Sequence, residues 1–419
     1  MKSSISSSSV SALALISLVG CGGDDGGGPD AGPTGVPIQL RTHVNGAQAN
    51  LVWVAAQAGD GAVVQLAGSG GSYDFAASDR FALYWVCESR PGLHELHALY
   101  ATVTELTSHV VRCTSGAPAR RTLSGALDSN GADFANIKIL FSELEDGIAG
   151  AETSYSIEGD VRDGTYDVVG HTTYASPDPA DWADRIIIKR GVAFTSANTV
   201  VDMDFAAEGQ PLPLHVEPHP LASDPITFDF ITSGGTHMQM RVDETVAGTL
   251  SWTYVPASLM TGTDIMVATQ FNTATQLQRR RYFKAPATDL TLTPPPALEA
   301  PTVTAVDGAS STRLRFDFTP PPGDVALYVF SNEAASGTIT AEVTPGWLGA
   351  ATRYEVPDLS ATSGWMDVYG INLGTSTAWY MRAHYSDIPL DVLVQGDVVP
   401  SASWDGRFWN TSLQAGNYP

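Results

Sequence analysis

The fold of this 419-residue chain is decided by the stretch from residue 49 to residue 89, ANLVWVAAQAGDGAVVQLAGSGGSYDFAASDRFALYWVCES. Its apolar residues come in short runs, many of them alternating with polar residues, and glycine, aspartate and serine separate the runs. A period of two residues is typical of β-strands, and the separators are residues that favour tight turns. The stretch therefore predicts a strand, a GDG turn, a second strand, a glycine turn and two further strands.

The rest of the chain continues in the same way, with little helical periodicity. Its 26 prolines and 40 glycines leave no room for long helices. We therefore expect an all-β protein made of serial β-sandwich modules. The predicted modules are residues 36–117, residues 120–206, residues 210–293 and residues 294–419, the last opening on the stiff proline-rich linker PPPALEAP.

The second predicted module contains GTYDVVG after an earlier LSG strand. Gly164, Tyr166 and Val168 match the pattern G-x-Y-x-V, which resembles a core strand of the transthyretin-like or carboxypeptidase-regulatory type of β-sandwich. The resemblance implies a non-catalytic spacer or binding unit.

The fourth predicted module resembles a fibronectin type III domain. Leu314, Phe316 and Phe318 alternate on an early strand, and Tyr328 starts the next one. Trp365 stands where the family usually has a tyrosine, and the family's early tryptophan is missing. The resemblance implies a further β-sandwich.

The first 35 residues, MKSSISSSSVSALALISLVGCGGDDGGGPDAGPTG, have the features of an export signal. Lys2 is followed by an apolar run too short to span a bilayer. Leu18-Val19-Gly20-Cys21 resembles the lipobox of bacterial lipoproteins, which implies cleavage before Cys21 and acyl chains, such as palmitate, on that residue. We expect a signal peptide over residues 1–20 and a flexible tether over residues 21–35. The alternative is an ordinary secretion signal without lipidation.

The lipobox resemblance also predicts a location. Gly22 stands where some bacteria place an aspartate that retains lipoproteins in the inner membrane, so we expect anchoring in the outer membrane of the cell envelope through the N-terminal lipid. Two or three acyl chains anchor a protein stably, whereas one is marginal.

The chain is strongly acidic. Lysine and arginine total 22 against 45 aspartate and glutamate residues, a formal net charge of −23. Such a surface repels nucleic acid, which excludes it as a partner.

Three cysteines are present, and a lipid on Cys21 leaves Cys87 and Cys113 as a pair. In an oxidising compartment such a pair forms a disulfide. The chain-entropy estimate for its closed loop is about 3 kcal/mol of stabilisation. We therefore predict a disulfide between the end of RFALYWVC and the end of SHVVRC.

Two short stretches suggest metal ligands. In HVEPH, an extended strand would place His215, Glu217 and His219 on one face, as zinc ligands could be. HELH at residues 94–97 offers a similar set. For both stretches the alternative is a solvated linker or ordinary strand residues, and we assign no metal.

Two acidic groups suggest calcium ligands. LDSNGAD offers oxygen ligands around Gly131, but the position of the closing glutamate of an EF-hand falls on Ile139. A polar turn is therefore the favoured interpretation. The ligands in question are Asp128, Asn130 and Asp133, and in the second group Asp178, Asp181 and Asp184 beside Trp182.

Aromatic residues crowd the C-terminal end. Trp379, Tyr380, Trp404 and Trp409 are candidates for ligand binding, since flat rings stack on sugars or bury against a partner protein. The alternative is that these rings fill the core of the fourth module.

The chain has no G-x-S-x-G elbow, P-loop or dinucleotide fingerprint, and no residue stands out as catalytic. We therefore expect no cofactor and a non-catalytic binding or scaffolding role, in which the chain recognises a glycan or another envelope protein. The alternative is a secreted hydrolase, metal-dependent in one version.

Overall fold

Strands make up nearly all of the regular structure in this computed structural model, which confirms the all-β prediction. The two α-helices among the described residues are single turns, α1 (Pro345–Leu348) and α2 (Leu390–Leu393). Within that part of the chain, no helix is long and apolar enough to cross a membrane. The structure describes residues 35–42, 51–69, 71–111, 113, 119–140, 144–218, 224–243, 248–286, 290, 292–306, 311–372, 374–394 and 402–418. Cys21, the predicted signal peptide and nearly all of the predicted tether lie outside these residues.

Every predicted module contains several strands. The first module has β1 (Val36–Thr42), β2 (Leu51–Ala58), β3 (Val64–Gln65), β4 (Ser72–Ala77), β5 (Arg80–Arg90), β6 (Leu93–Thr102) and β7 (Ser108–Val111). The second has β8 (Ala119–Asp128), β9 (Phe134–Leu140), β10 (Leu144–Ala149), β11 (Ser154–Val161), β12 (Gly164–Thr173), β13 (Arg185–Phe194), β14 (Asn198–Val200) and β15 (Met203–Asp204). The third has β16 (Gln210–Pro211), β17 (Leu214–Pro218), β18 (Ile226–Ile231), β19 (His237–Gln239), β20 (Val242–Asp243), β21 (Thr249–Thr253), β22 (Ile265–Asn272) and β23 (Leu277–Phe283). The fourth has β24 (Thr302–Ala305), β25 (Leu314–Asp317), β26 (Leu327–Ala334), β27 (Gly337–Val343), β28 (Arg353–Glu355), β29 (Thr377–Ser386) and β30 (Trp409–Tyr418).

One sheet runs through three of the predicted modules. It has 12 strands in the order β19-β18-β22-β23-β30-β29-β26-β27-β6-β5-β2-β3. The first and fourth modules meet in it through the parallel pair β6 and β27, with Gly337 opposite His94 and Val343 opposite Tyr100. The boundaries between the modules stay predictions, but the sheet does not stop at them.

Smaller sheets cover both faces of this long sheet and complete the predicted sandwich layers. On one face, Leu314, Phe316 and Tyr354 from the sheet β24-β25-β28 pack against Tyr84 and other residues of the long sheet. The residues of the fibronectin-like pattern therefore lie in a core, although that family assignment stays a prediction.

The opposite face is covered by the sheet β4-β1-β7, whose Ile38 and Leu40 are fully buried against Leu83 and Leu99. The predicted disulfide is confirmed: Cys87 on β5 is bonded to Cys113 after β7, with 5.3 Å between the Cα atoms. It links the covering sheet to the long sheet.

A carboxylate also fixes the junction of the first and fourth modules. Glu105 accepts hydrogen bonds from Thr102 N–H at 2.9 Å, Thr344 Oγ1 at 2.5 Å and Gly346 N–H at 2.8 Å. Because a Cβ atom at Gly346 would lie 2.5 Å from the Glu105 carboxylate, this position favours glycine.

The second module is a sandwich of the sheets β10-β9-β12-β13 and β11-β8-β14, and Val168 lies in the core between them. β16 of the third module extends the first of these sheets beside β13. The other face of β12 and β13 is covered too. There Val169 and Ile186 pack with Phe228 and Trp252 of the third module. Polar residues on this second face form the clusters described next.

Candidate functional site

A cleft of about 440 Å³ opens where the second and third modules meet. It is widely open to solvent, so a ligand in it would stay partly exposed. We call it the His171 cleft, and its lining residues are Asp133, Phe134, Asn136, His171, Thr173, Tyr174, Ala175, Gln239, Met240 and Arg241.

Strand alternation explains why these residues meet. β9 and β12 are antiparallel neighbours, with Asn136 opposite His171 and Phe134 opposite Thr173. Residues two apart on a strand share a face, so all four side chains lie on one face of the sheet. Gln239, at the end of β19, comes from the third module.

The floor of the cleft holds buried polar atoms without partners. His171 is 4% exposed, and its Nε2 atom lies 3.8 Å from Oδ2 of Asp184, which is 0% exposed. That distance is too long for a hydrogen bond. Among the described atoms, His171 Nε2, Asp184 Oδ2 and Asn136 Oδ1 have no hydrogen-bond partner. Each such group costs about 1–3 kcal/mol. Similar atoms lie elsewhere in the described core, for example at Asn332 and Trp252, so the floor differs from those places because His171 and Asn136 also line an open cleft.

Arg241 holds one wall of the cleft in place. Its guanidinium donates to the backbone oxygen of Tyr174 at 2.8 Å, to that of Ser176 at 2.7 Å and to Asp184 Oδ1 at 3.3 Å. It also stacks on Trp182, with 4.0 Å from Cζ to the ring centroid. Asp184 is therefore neutralised on one oxygen only.

The two acidic groups predicted from the sequence meet around this cleft, but as structural turns. Asn130 has a φ of 52°, and its N–H donates to Asp128 Oδ1 at 2.8 Å. Asp133 accepts a hydrogen bond from the N–H of Ala175. Asp178 accepts from the N–H of Ala180 at the start of a 3₁₀ turn. These contacts match a polar turn, the interpretation that the sequence favours.

Phe134 forms an aromatic rim. Its side chain is 40% exposed, although it is large and apolar. One part of the ring lies over Gly147 on β10, where a Cβ atom would come within 2.5 Å of it. The glycine thus lets the ring lie against the sheet, in the way aromatic residues cover glycines on neighbouring strands.

A second polar cluster, the Arg190 joint, lies near the other end of β12 and β13. It consists of Arg190, Asp167 and Asp264. Arg190 donates to Asp167 at 2.9 Å and to Asp264 at 2.5 Å. Asp264 is 0% exposed and also accepts from the N–H groups of Ser233 and Thr261, each at 2.7 Å.

Asp167 in the Arg190 joint is held in its charged form. Burial acts to raise its pKa, but hydrogen bonds from Gly191 N–H and Arg190 outweigh burial and lower it. The carboxylate accepts from Gly191 N–H at 3.0 Å and from Gly234 N–H at 3.2 Å. This joint ties the second module to the third.

The structure describes the first four residues of the HVEPH stretch, which lie on β17. His215 and Glu217 lie on one face of β17, with His215 Nε2 3.5 Å from Glu217 Oε2. Glu217 is 3% exposed, and neither of its oxygens has a hydrogen-bond partner among the described atoms. His219 lies outside the described residues.

The HELH histidines point away from each other. His97 stacks on Trp85 at 5.4 Å and lies 3.7 Å from Glu95, and the nearby imidazole lowers the pKa of that carboxyl. His94 packs instead against Tyr369 at 5.2 Å. Within the described ranges, no group of three His, Cys, Asp or Glu residues could hold a metal ion.

Two of the four C-terminal aromatic residues pack against core rings. Trp404 is 2% exposed and lies 4.8 Å from Tyr282. Trp379 is partly buried, 6.1 Å from Phe316. Trp379 thus lies where the alternative interpretation expects it, against the core of the fourth module, whereas Trp404 packs against Tyr282 of the third module.

The other two rings are partly buried and contact basic residues. Trp409 donates its indole N–H to Nδ1 of His384 at 2.9 Å, and Tyr380 lies under Arg382 at 4.4 Å. Burial, followed by the charges of Arg382 and Arg280, lowers the pKa of His384 to about 3. The neutral imidazole can therefore accept the indole hydrogen bond.

The sequence patterns did not single out His171, Asn136 or Arg241. The local pattern is ordinary at Asn136, which takes a polar position in the alternation of ANIKIL, but His171 follows the apolar residues of DVVGHT. A polar side chain on a strand face that other apolar residues bury needs a partner. Which face is buried depends on the third module, and the local pattern does not show that.

Comparison with protein families and with curated proteins finds no match for this chain. Among solved structures, it is similar to a proposed adhesin from Bacteroides ovatus, at 7% identity and a TM-score of 0.16, over 39% of this chain and 82% of that one. It is also similar to a tetra-tandem repeat in the extending region of a large adhesion protein, at 12% identity and a TM-score of 0.15, over 91% and 99% of the two chains. Superpositions at these TM-scores carry no argument about function.

Proposed function

We propose that this chain is an exported protein of the cell envelope, anchored in the outer membrane by lipid on Cys21, with a non-catalytic binding role. Its ligand, a glycan or a segment of another envelope protein, binds in the His171 cleft. The observation that carries the proposal is the cleft floor, where buried His171 Nε2 and Asn136 Oδ1 lack partners among the described atoms. Because both atoms are buried in the ligand-free fold, the two side chains turn toward the ligand to hydrogen-bond with it, and these bonds relieve a cost that the fold otherwise bears.

The lining favours binding over hydrolysis. Glycoside hydrolysis by the usual route needs two carboxyl groups on either side of the scissile bond. The lining contains one carboxylate, Asp133, and it already accepts the Ala175 N–H. Asp184 lies behind His171 and is paired with Arg241. The chemistry of the cleft is therefore that of hydrogen-bonded recognition.

The anchor is tested in cells that carry the full chain and a Cys21→Ala variant. Membrane fractionation and protease treatment of whole cells should show wild type in the membrane fraction and the variant in the soluble fraction. Thr34→Ala, in the same predicted tether, is the matched control and should stay in the membrane fraction. Equal solubility of wild type and Cys21→Ala would overturn the lipid anchor.

The binding role is tested separately with the full chain and a His171→Leu variant. Purified wild type should bind a component of the isolated envelope, and the variant should bind it at least about tenfold more weakly, as expected for losing about 1.4 kcal/mol. Equal binding by both proteins would mean that the cleft is not the site.

A metal-dependent hydrolase is the second candidate, favoured by half-buried His215 and buried Glu217, whose side chains lie 3.5 Å apart. His215 Nε2 and both Glu217 oxygens have no hydrogen-bond partner among the described atoms, and imidazole and carboxylate groups are suitable zinc ligands. This candidate predicts stoichiometric zinc in the native protein, lost in His215→Ala and kept in the control His97→Ala. Metal analysis that finds no zinc in the native protein would eliminate the zinc version.

A further inference from the structure

We infer that the ligand of the His171 cleft is a neutral saccharide. This inference rests on the proposed binding role and goes further by naming one chemical class. It follows from the shape of the polar groups in the lining, the aromatic rim and the balance of charge.

The polar groups of the cleft are planar and match pairs of hydroxyls. Asn136 and Gln239 contribute amides, Arg241 a guanidinium and His171 an imidazole. An amide can donate and accept side by side, and a sugar hydroxyl can do the same, so two neighbouring hydroxyls can bond to one amide. When the His171 ring turns from Asp184 toward the cleft, a hydroxyl can donate or accept at its Nε2 atom, whichever tautomer the ring adopts.

The aromatic rim matches the apolar face of a sugar ring. Phe134 lies over Gly147 on one side and is 40% exposed. A pyranose has a flat face of C–H groups, and this face packs on an aromatic ring while its hydroxyls stay at the edge. Phe134 and Asn136 are two residues apart on β9 and share a face, so one sugar unit can contact both.

The charges favour a ligand without charge. Arg241 is paired with Asp184, and Asp133 is the lining residue that carries a negative charge. An anionic glycan would meet Asp133 and a chain with a net charge of −23. A cationic ligand would meet the Arg241 guanidinium in the same lining.

A protein partner fits the cleft less well. Stable protein interfaces bury about 800 Å² on each side and have an apolar centre. Of the residues that line the cleft, only Phe134 is among the large apolar side chains that are exposed in the described part of the chain. Met240, the other large aliphatic side chain of the lining, is 3% exposed.

The test uses the full mature chain and a panel of neutral oligosaccharides, namely hexasaccharides of glucose in α- and β-linkage, mannose, galactose and xylose. Polygalacturonate and hyaluronan are the acidic probes. Isothermal titration calorimetry with Phe134→Ala and Asn136→Ala should show at least about tenfold weaker binding of the neutral sugar that wild type binds. Phe271→Ala is the matched control, because Phe271 is also an exposed phenylalanine on a strand, 37% exposed, outside the cleft. Thermal melting of all variants verifies that they fold.

Each outcome decides the inference. Neutral binding that is lost in both cleft variants and kept in Phe271→Ala supports it. Binding only to the acidic probes, or to no member of the panel, overturns it. A photo-crosslinking phenylalanine analogue at position 134 in whole cells separates this failure from failure of the proposed function. A crosslink to a protein refutes the saccharide ligand and keeps the binding role. If neither a protein nor a saccharide is crosslinked, both the saccharide ligand and the binding role of the cleft are refuted.

Discussion

The Arg190 joint and the floor of the His171 cleft are built from similar residues at opposite ends of β12 and β13, yet they differ in how their polar atoms are satisfied. In the joint, each carboxylate accepts hydrogen bonds from a guanidinium and from backbone N–H groups. Around the cleft floor, three buried polar atoms lack hydrogen-bond partners among the described residues, and one of them, Asp184 Oδ2, lies behind His171. Burial of polar residues alone therefore does not separate a structural cluster from a binding site, and these two clusters differ in the hydrogen bonds left unmade.

The largest effect is expected at the joint, for Arg190→Ala. Removing the guanidinium leaves Asp264, which is 0% exposed, without its charge partner. Breaking a buried ion pair from one side costs about 3–5 kcal/mol. Urea denaturation of the variant should show a free energy of unfolding lower by that amount.

Arg120→Ala is the matched control for this prediction. Arg120 pairs with Glu158 at 3.2 Å, but the two side chains are 66% and 58% exposed. Exposed ion pairs contribute less than about 1 kcal/mol. If Arg190→Ala destabilised the protein no more than Arg120→Ala does, the joint would not be a structural element and the comparison would fail.

A smaller effect, dependent on pH, is expected for Asp167→Asn. The pKa of Asp167 is lower in the folded chain than its usual value of 3.8. Its contribution to stability is therefore complete above the unfolded pKa and is lost as the pH falls through the folded pKa. At pH 7 the variant should lose about 1.5–3 kcal/mol, the range for hydrogen bonds to a charged group.

Denaturation curves between pH 7 and pH 2 check this prediction. The stability difference between wild type and Asp167→Asn should shrink as the solution becomes acidic. A difference that stays constant down to the lowest pH would show that the charge of Asp167 is not what stabilises the joint.

Local sequence patterns predicted much of the fold. The alternation in RFALYWVC and the turn residues around it predicted strands, and counting cysteines predicted the bond between Cys87 and Cys113. The parallel pairing of β6 with β27 was not predicted. Its partners lie more than 200 residues apart in the sequence, and hydrophobic alternation is the same whichever strand lies alongside.

The candidate site was predicted only at its edges. The sequence drew attention to Asp133 and Asp184 because they are acidic residues in turns, and the structure places both around the cleft. His171 looked like one of the histidines present in any chain of this length. Its importance depends on the third module, which covers its face of the sheet and makes an unpaired nitrogen costly.

The smallest effect on stability is expected for His171→Leu, and its sign makes it the sharpest test of the comparison. Leucine is close to histidine in size and removes a buried nitrogen that has no partner among the described atoms, so stability should stay the same or rise by up to about 1 kcal/mol. Asp184 keeps its contact with Arg241 in the variant. Asp167→Leu, four residues earlier on the same strand, is the control and should destabilise the protein.

If His171→Leu lowers the free energy of unfolding as much as Asp167→Leu does, His171 belongs to a satisfied structural cluster like the Arg190 joint. The cleft floor would then not differ from that joint. If stability is kept and ligand binding is lost, the hydrogen bonds that His171 leaves unmade in the fold are the ones that the ligand makes.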